Sequence, residues 1–144
     1  NGASRWTTGC RELTPHIVAA AREANVDEGL VAGIVAVESG FRSVVKSRSH
    51  ARGPMQILPS TGRALGCGGP SELAVPAANI RCGAGLLARL IAHYDGRVMY
   101  ALAAYHGGPR GPDGAFARRA PIDLAYVEAV VRARARWLRR GCEP

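Results

Sequence analysis

Glu38 closes the most hydrophobic local stretch of the chain, VAVES, just before a break at Gly40. Leu30, Val31, Ile34, Val35 and Val37 lead up to it with the recurrence of a buried helix face. An acid there is either the polar end of a helix or a carboxyl held against apolar walls. The second arrangement has chemical value, because a carboxyl that loses hydration keeps its proton to higher pH. Three further segments set polar groups among apolar ones: GPMQILPSTG at 53–62, ALAAYHGGP at 101–109 and YVEAVV at 126–131. Taken singly, they read as a core Met55 beside a loop Gln56, and as core aromatics Tyr105 and Tyr126 with satisfied hydroxyls.

Metal chemistry is not indicated. Cys10, Cys67, Cys82 and Cys142 include no C-x-x-C pair, and His16, His50, His93 and His106 show no ligand spacing around them. No metal and no cofactor are expected. An even cysteine count at wide spacing suits two disulfides in an oxidising compartment. The alternative is four buried free thiols in a cytosolic protein. Three connectivities are possible. The favoured pairs are Cys10–Cys142, which would tie the termini, and Cys67–Cys82, which would close a loop onto a helix.

Helices must position these groups. Thr14 and Pro15 form a start signal, with Thr as N-cap and Pro at the first helical position, for PHIVAAAREAN. Asp27 caps EGLVAGIVAVES, the segment that carries Glu38. Residues 40–54, rich in Ser, Gly and Arg, read as a loop. A short helix starts at Pro59 and stops before Gly66, and CGGPSELAVP reads as irregular. Asn79 caps a longer helix, IRCGAGLLARLIAHYD, which Gly96 terminates. RVMYALAAYHGG is a compact helix stopped by two glycines, and residues 107–115 read as a loop. The last helix runs from about Pro121 into the Arg-rich end. There is no sustained strand-like alternation and no internal repeat. The expectation is a mainly α protein, a single domain over residues 1–144 with long loops.

Composition narrows the class. A chain of 144 residues suits one domain with its own core, and 47% hydrophobic residues exclude a disordered chain. Apolar runs stop well short of a membrane span, so a soluble protein with no membrane span is expected. The chain begins at Asn1 with no initiator Met and no leader-like segment, which fits a processed or a shortened protein. Net charge is +8, and Lys46 is the only lysine among nineteen basic residues. Codon bias in a GC-rich genome accounts for so much Arg and Ala. The functional reading is attraction to a polyanion: nucleic acid, an anionic membrane surface or an anionic cell wall. Arg132, Arg134, Arg136, Arg139 and Arg140 cluster with little aromatic interleaving, so no nucleic-acid partner is expected.

Order and spacing add what single segments lack. Together the segments resemble the lytic transglycosylase family of the lysozyme-like superfamily, the soluble Slt type. Glu38-Ser39 matches that family's Glu-Ser at a helix end, and Ser47 with ARGPMQILPSTG matches its Ser and Gly-x-x-Gly-Leu-Met-Gln segment. Asn79-Ile80 followed by Gly83 matches the Asn-Ile helix. Ala104-Tyr105 matches the Ala-Tyr-Asn segment, and Tyr126-Val127 the Tyr-Val segment. The resemblance covers about residues 15–135. It implies a lysozyme-like helical domain with an active-site cleft, acting as a monomer on peptidoglycan glycan strands in the periplasm or after secretion.

The resemblance also implies a chemistry: cleavage of the β-1,4 bond between N-acetylmuramic acid and N-acetylglucosamine. Most glycosidases use two carboxyl groups. Only Glu38 matches a catalytic motif position. Asp95 reads as a helix end and Asp123 as a helix start, while Glu72, Glu128 and Asp113 match no motif. One acid suffices if the muramic acid's own C6 hydroxyl attacks C1, giving a 1,6-anhydro end. Glu38 would serve as acid and then base. Ser47, Met55, Gln56, Tyr105, His106 and Tyr126 would bind substrate or line the cleft, with Tyr126 orienting Glu38 and Met55 facing it.

Departures mark this chain. Pro54 stands where the family has Leu, and His50 stands for a Gly. His106 follows Tyr105 where the family has Asn; histidine also donates a hydrogen bond but is bulkier and titrates near neutrality. The competing expectations are a goose-type-lysozyme-like hydrolase, in which water replaces the C6 hydroxyl, and a wall-binding module of weakened activity.

Overall fold

A computed structural model describes residues 2–118, 122 and 124–144. The architecture grows from one helix that is apolar all round. Asp27 caps this helix, α2 (Glu28–Ser39), by accepting a hydrogen bond from Leu30 N at 2.8 Å. Gly29 through Val35 are buried without interruption, so no single stripe describes α2 and it must be surrounded. The last helix, α8 (Ala125–Arg140), packs on it most extensively, and α1 (Gly2–Ala24) and α5 (Pro76–His93) complete the enclosure. Gly33 allows the approach of α8: a Cβ there would lie 2.7 Å from the Val130 carbonyl oxygen.

Around this centre lie α3 (Pro59–Ala64), α4 (Pro70–Leu73), α6 (Val98–Gly107) and α7 (Arg110–Arg118). Among the described residues, strand-like pairing is confined to isolated bridges joining Lys46 to Arg52 and Arg52 to Ile57. The main hydrophobic cluster includes Ile17, Ile34, Met55 and Ile80. A smaller one gathers Tyr94 and Tyr100, with Phe116 packed on them, where α5, α6 and α7 meet. Both favoured disulfides are present. Cys10–Cys142 ties α1 to the end of the chain, and Cys67–Cys82 ties the α3–α4 connection to α5. Among the described residues no helix is long and apolar enough to cross a membrane.

Four boundaries differ from the sequence reading. Helix α1 does not start at Thr14–Pro15 but runs through Pro15 from Gly2. The proline removes one N–H, a cost of about 3 kcal/mol in a helix interior. Long-range contacts offset it: Cys10 is buried in its disulfide, and Trp6 packs edge-on against Phe41 at 4.8 Å. Thr14 spends its hydroxyl on the Cys10 carbonyl at 2.7 Å instead of capping. Asn79 lies inside the first turn of α5, which starts at Pro76. Within the irregular stretch Pro70–Leu73 forms one helical turn, closed by Glu72 accepting from Gly69 N at 2.9 Å.

Residues 110–118 form α7, where a loop was expected. Its glycines and prolines hid a tertiary anchor: Phe116 packs at 5.5 Å from Tyr94, and the Tyr94 hydroxyl donates to Asp113 at 2.7 Å. Helix α8 begins at Ala125. The expected start at Pro121 and the helix-start role of Asp123 lie outside the described residues.

Candidate active site

Helix α2 ends at the site. Gly40 takes the left-handed conformation (φ 59°) and returns its N–H to the Ala36 carbonyl at 2.9 Å, which stops the helix one residue after Ser39. Ser39 is buried and donates to the Val35 carbonyl at 3.0 Å. Glu38, one position earlier, is half-buried and opens into a cavity of about 300 Å³. The Tyr126 hydroxyl, from α8, donates to its Oε2 at 3.1 Å. Burial pushes the Glu38 carboxyl above the ordinary glutamate range. The Tyr126 hydrogen bond and the charge of a protonated His106 pull the other way and do not outweigh it.

The opposite wall is a loop pinned from beneath. Gly53 N–H bonds the Val45 carbonyl, and Arg52 and Ile57 exchange a pair of bonds at 2.9 Å. Asn79, fully buried, fixes the loop through every polar atom of its amide. Nδ2 donates to Arg52 O at 2.7 Å and Leu73 O at 3.0 Å, and Oδ1 accepts from Met55 N at 2.9 Å. The Tyr105 hydroxyl donates to Met55 O at 2.7 Å, so α6 secures the same residue from the other side. Burial and the nearby Glu38 charge hold the Tyr105 phenol well above its ordinary range, so it stays a neutral donor.

The site gathers most of the expected residues. Ser47, Gln56, Tyr105 and His106 share the Glu38 cavity. Gln56 sits at φ 51° with Nε2 donating to Gly53 O at 2.9 Å. Ser47 Oγ accepts from Ala51 N at 3.1 Å and bonds Ser49 Oγ at 2.9 Å. The His106 ring stacks on Tyr126, with centroids 4.2 Å apart and planes 12° from parallel. Beyond that pair a second cavity of about 470 Å³, lined mainly by Gly, Ala and Pro of α6–α8, continues the depression.

Met55 is placed differently from the expectation that its side chain would face the acid. It is fully buried, packed against Gly83, where a Cβ would meet its sulfur, and it borders neither cavity. Its two backbone groups are held by Asn79 and Tyr105, so it anchors the loop.

Sequence reasoning missed two things. Asn79 read as a cap, although an amide flanked by apolar residues in a helix's first turn is itself a sign of a buried polar contact. Ser49 and Thr61, which line the Glu38 cavity, carried no spacing signal. Among the described residues that line that cavity, Glu38 is the only acid. Asp27 is committed to Arg134 and the α2 cap, Glu72 to its own turn, and Asp113 to Tyr94 and His93. Among the described residues no group of three His, Cys, Asp or Glu side chains is placed to hold a metal ion.

The chain is similar to known proteins. Residues 15–120 match the family model of the Transglycosylase SLT domain. A transglycosylase of Enterobacteria phage PRD1 is 41% identical over 101 residues, which is 70% of this chain and 37% of that protein. The X-ray structure of an inactive mutant of lytic transglycosylase Slt from Pseudomonas aeruginosa superposes with a TM-score of 0.73 at 24% identity. That superposition covers 90% of this chain and 24% of Slt, a likeness of fold. The chain thus spans little more than a third of the phage relative and about a quarter of Slt. With three quarters of its length matched by the family model, the chain belongs to the Transglycosylase SLT domain family.

Proposed function

We propose that residues 1–144 act as one lysozyme-like lytic transglycosylase domain. It cleaves the β-1,4 bond between N-acetylmuramic acid and N-acetylglucosamine in peptidoglycan and leaves 1,6-anhydromuramic acid ends. The observation that carries this reading is a lone carboxyl, half-buried and held above its ordinary pKa, in a cavity where no other described lining residue is an acid. Glu38 donates its proton to the glycosidic oxygen as the bond from that oxygen to C1 breaks. The C6 hydroxyl of the same sugar bonds to C1, and its proton returns to the Glu38 carboxylate. The attack is intramolecular, which avoids the entropic cost of recruiting water.

Tyr126 orients the carboxyl, and Ser47, Gln56, Tyr105 and His106 form the wall against which the sugars lie. The two disulfides support work outside the cytoplasm. The basic surface suits a wall polymer that carries carboxylates.

The test digests purified peptidoglycan with wild type and Glu38→Gln and identifies the sugar ends by mass. Anhydro ends from wild type, absent with Glu38→Gln, are expected. Reducing ends from wild type would replace this reading with a hydrolase that uses water, and uncut glycan would leave only a binding module.

A further inference from the structure

We propose that His106 is a positioning residue that acts through Tyr126: its flat imidazole face holds the phenol ring so that the hydroxyl stays on Glu38. This inference rests on the proposed function for its catalytic consequence, but not for its geometry. Tyr126 sits in the first turn of α8, next to the stretch that leads into the helix, and its only described hydrogen bond is to Glu38 at 3.1 Å. A hydroxyl on a ring free to swing about χ1 and χ2 would lose that bond, since among the described residues no second polar contact returns it. The His106 ring lies 4.2 Å away and 12° from parallel, a stacked contact that restrains the tilt of the phenol plane.

His106 is exposed on its other side and borders both cavities, so it forms the ridge between them while its inner face supports Tyr126. Among the described residues, Glu38 on α2, Tyr105 on α6 itself and Tyr126 on α8 are the titratable side chains that share a cavity with it. Among the described residues, the loop, α3, α5 and α7 contribute only uncharged side chains there. A small amide at position 106 would present less surface to the ring than the imidazole does.

The test compares His106→Ala and His106→Phe, each in wild-type and Tyr126→Phe backgrounds. Both substitutions remove the imidazole nitrogens, so their difference reports the flat face and the space it fills. The readouts are a carbon-13 carboxyl titration of Glu38 in the full chain and kcat and KM on peptidoglycan. Because the Tyr126 bond lowers the Glu38 pKa, Glu38 should titrate higher in His106→Ala than in His106→Phe. The kcat of His106→Ala should fall about three- to tenfold below that of His106→Phe, the range an aromatic contact supports, with KM less affected. In the Tyr126→Phe background both differences should vanish. His106→Leu, which fills space without a flat face, should follow His106→Ala.

Equal titrations and rates for Ala and Phe at position 106 would overturn the proposal, as would a difference that persists without the Tyr126 hydroxyl. The titration needs no substrate. A wild type that leaves peptidoglycan uncut would therefore sink the proposed function and leave this test standing.

Discussion

Glu38 and Asp113 are two carboxyls with the same kinds of partner and opposite fates. Each accepts a tyrosine hydroxyl, Tyr126 at 3.1 Å for Glu38 and Tyr94 at 2.7 Å for Asp113. Each has a histidine at hand: His106 acts on Glu38 as a nearby charge, and His93 pairs with Asp113 at 2.9 Å. Yet Glu38 is pushed above its ordinary range, while Asp113 is held below it, chiefly by the Tyr94 hydrogen bond and then by His93. Solvent makes the difference. Asp113 stands half-exposed on α7, so its hydrogen bonds act on a carboxylate that water already favours. Glu38 emerges from an apolar helix into a cleft, so desolvation comes first and one hydrogen bond does not repay it. The Asp113 cluster is suited to pinning α7 onto the end of α5, and the Glu38 cluster to proton transfer.

The hardest test replaces each acid by its amide. Glu38→Gln should lower glycan cleavage by about a thousandfold, the scale of lost acid–base catalysis. Asp113→Asn should leave the rate within about twofold, as expected for a group outside the cleft. Comparable losses in steady-state assays would erase the distinction. Next comes the loop opposite Glu38. Asn79→Ala strands Arg52 O, Leu73 O and Met55 N beneath it and should cost about 3 kcal/mol in urea unfolding.

Removing the hydroxyls is the third probe. Tyr126→Phe should cut kcat about tenfold and raise the Glu38 pKa, whereas Tyr94→Phe should raise the Asp113 pKa and leave kcat unchanged. Carboxyl titrations by NMR and steady-state rates read both. A Tyr94→Phe protein with impaired kcat would mean that the two clusters are coupled.

The smallest effect is in stability against pH. Glu38 holds its proton more tightly when folded, so its contribution is fully present below its unfolded pKa near 4.5 and is lost as pH rises through the folded value. Asp113 does the reverse: its contribution is present above its unfolded pKa near 3.8 and is lost as pH falls through the folded value. At neutral pH, Glu38→Gln should therefore raise Tm and Asp113→Asn should lower it. Calorimetric melts showing the same sign for both would contradict this account.

The helices that carry the site were legible because their signals are local. Asp27 caps α2 as its type and place suggest, Gly40 ends it, and the acid stands where the apolar run stops. The ordered motifs of the resemblance pointed to Ser47, Gln56, Tyr105 and Tyr126, which the fold brings near Glu38. Pro15 inside α1, Asn79 beneath the loop and the helical α7 were not, because each is decided by partners distant in sequence. The Cys10–Cys142 bond, the Met55 and Arg52 backbone and the Tyr94–Phe116 contact decide them in turn.

By itself, the sequence determined where one carboxyl stands: an apolar run, a glutamate and a glycine stop are covalently adjacent, and adjacency needs no folding to be read. Only the tertiary structure decided how that carboxyl is held. The phenol on Glu38, the imidazole stacked on the phenol and the amide under the loop come from α8, α6 and α5, brought together by burial of the apolar α2. Whether such a carboxyl keeps its proton depends on what surrounds it in space, and proximity in space is set by packing.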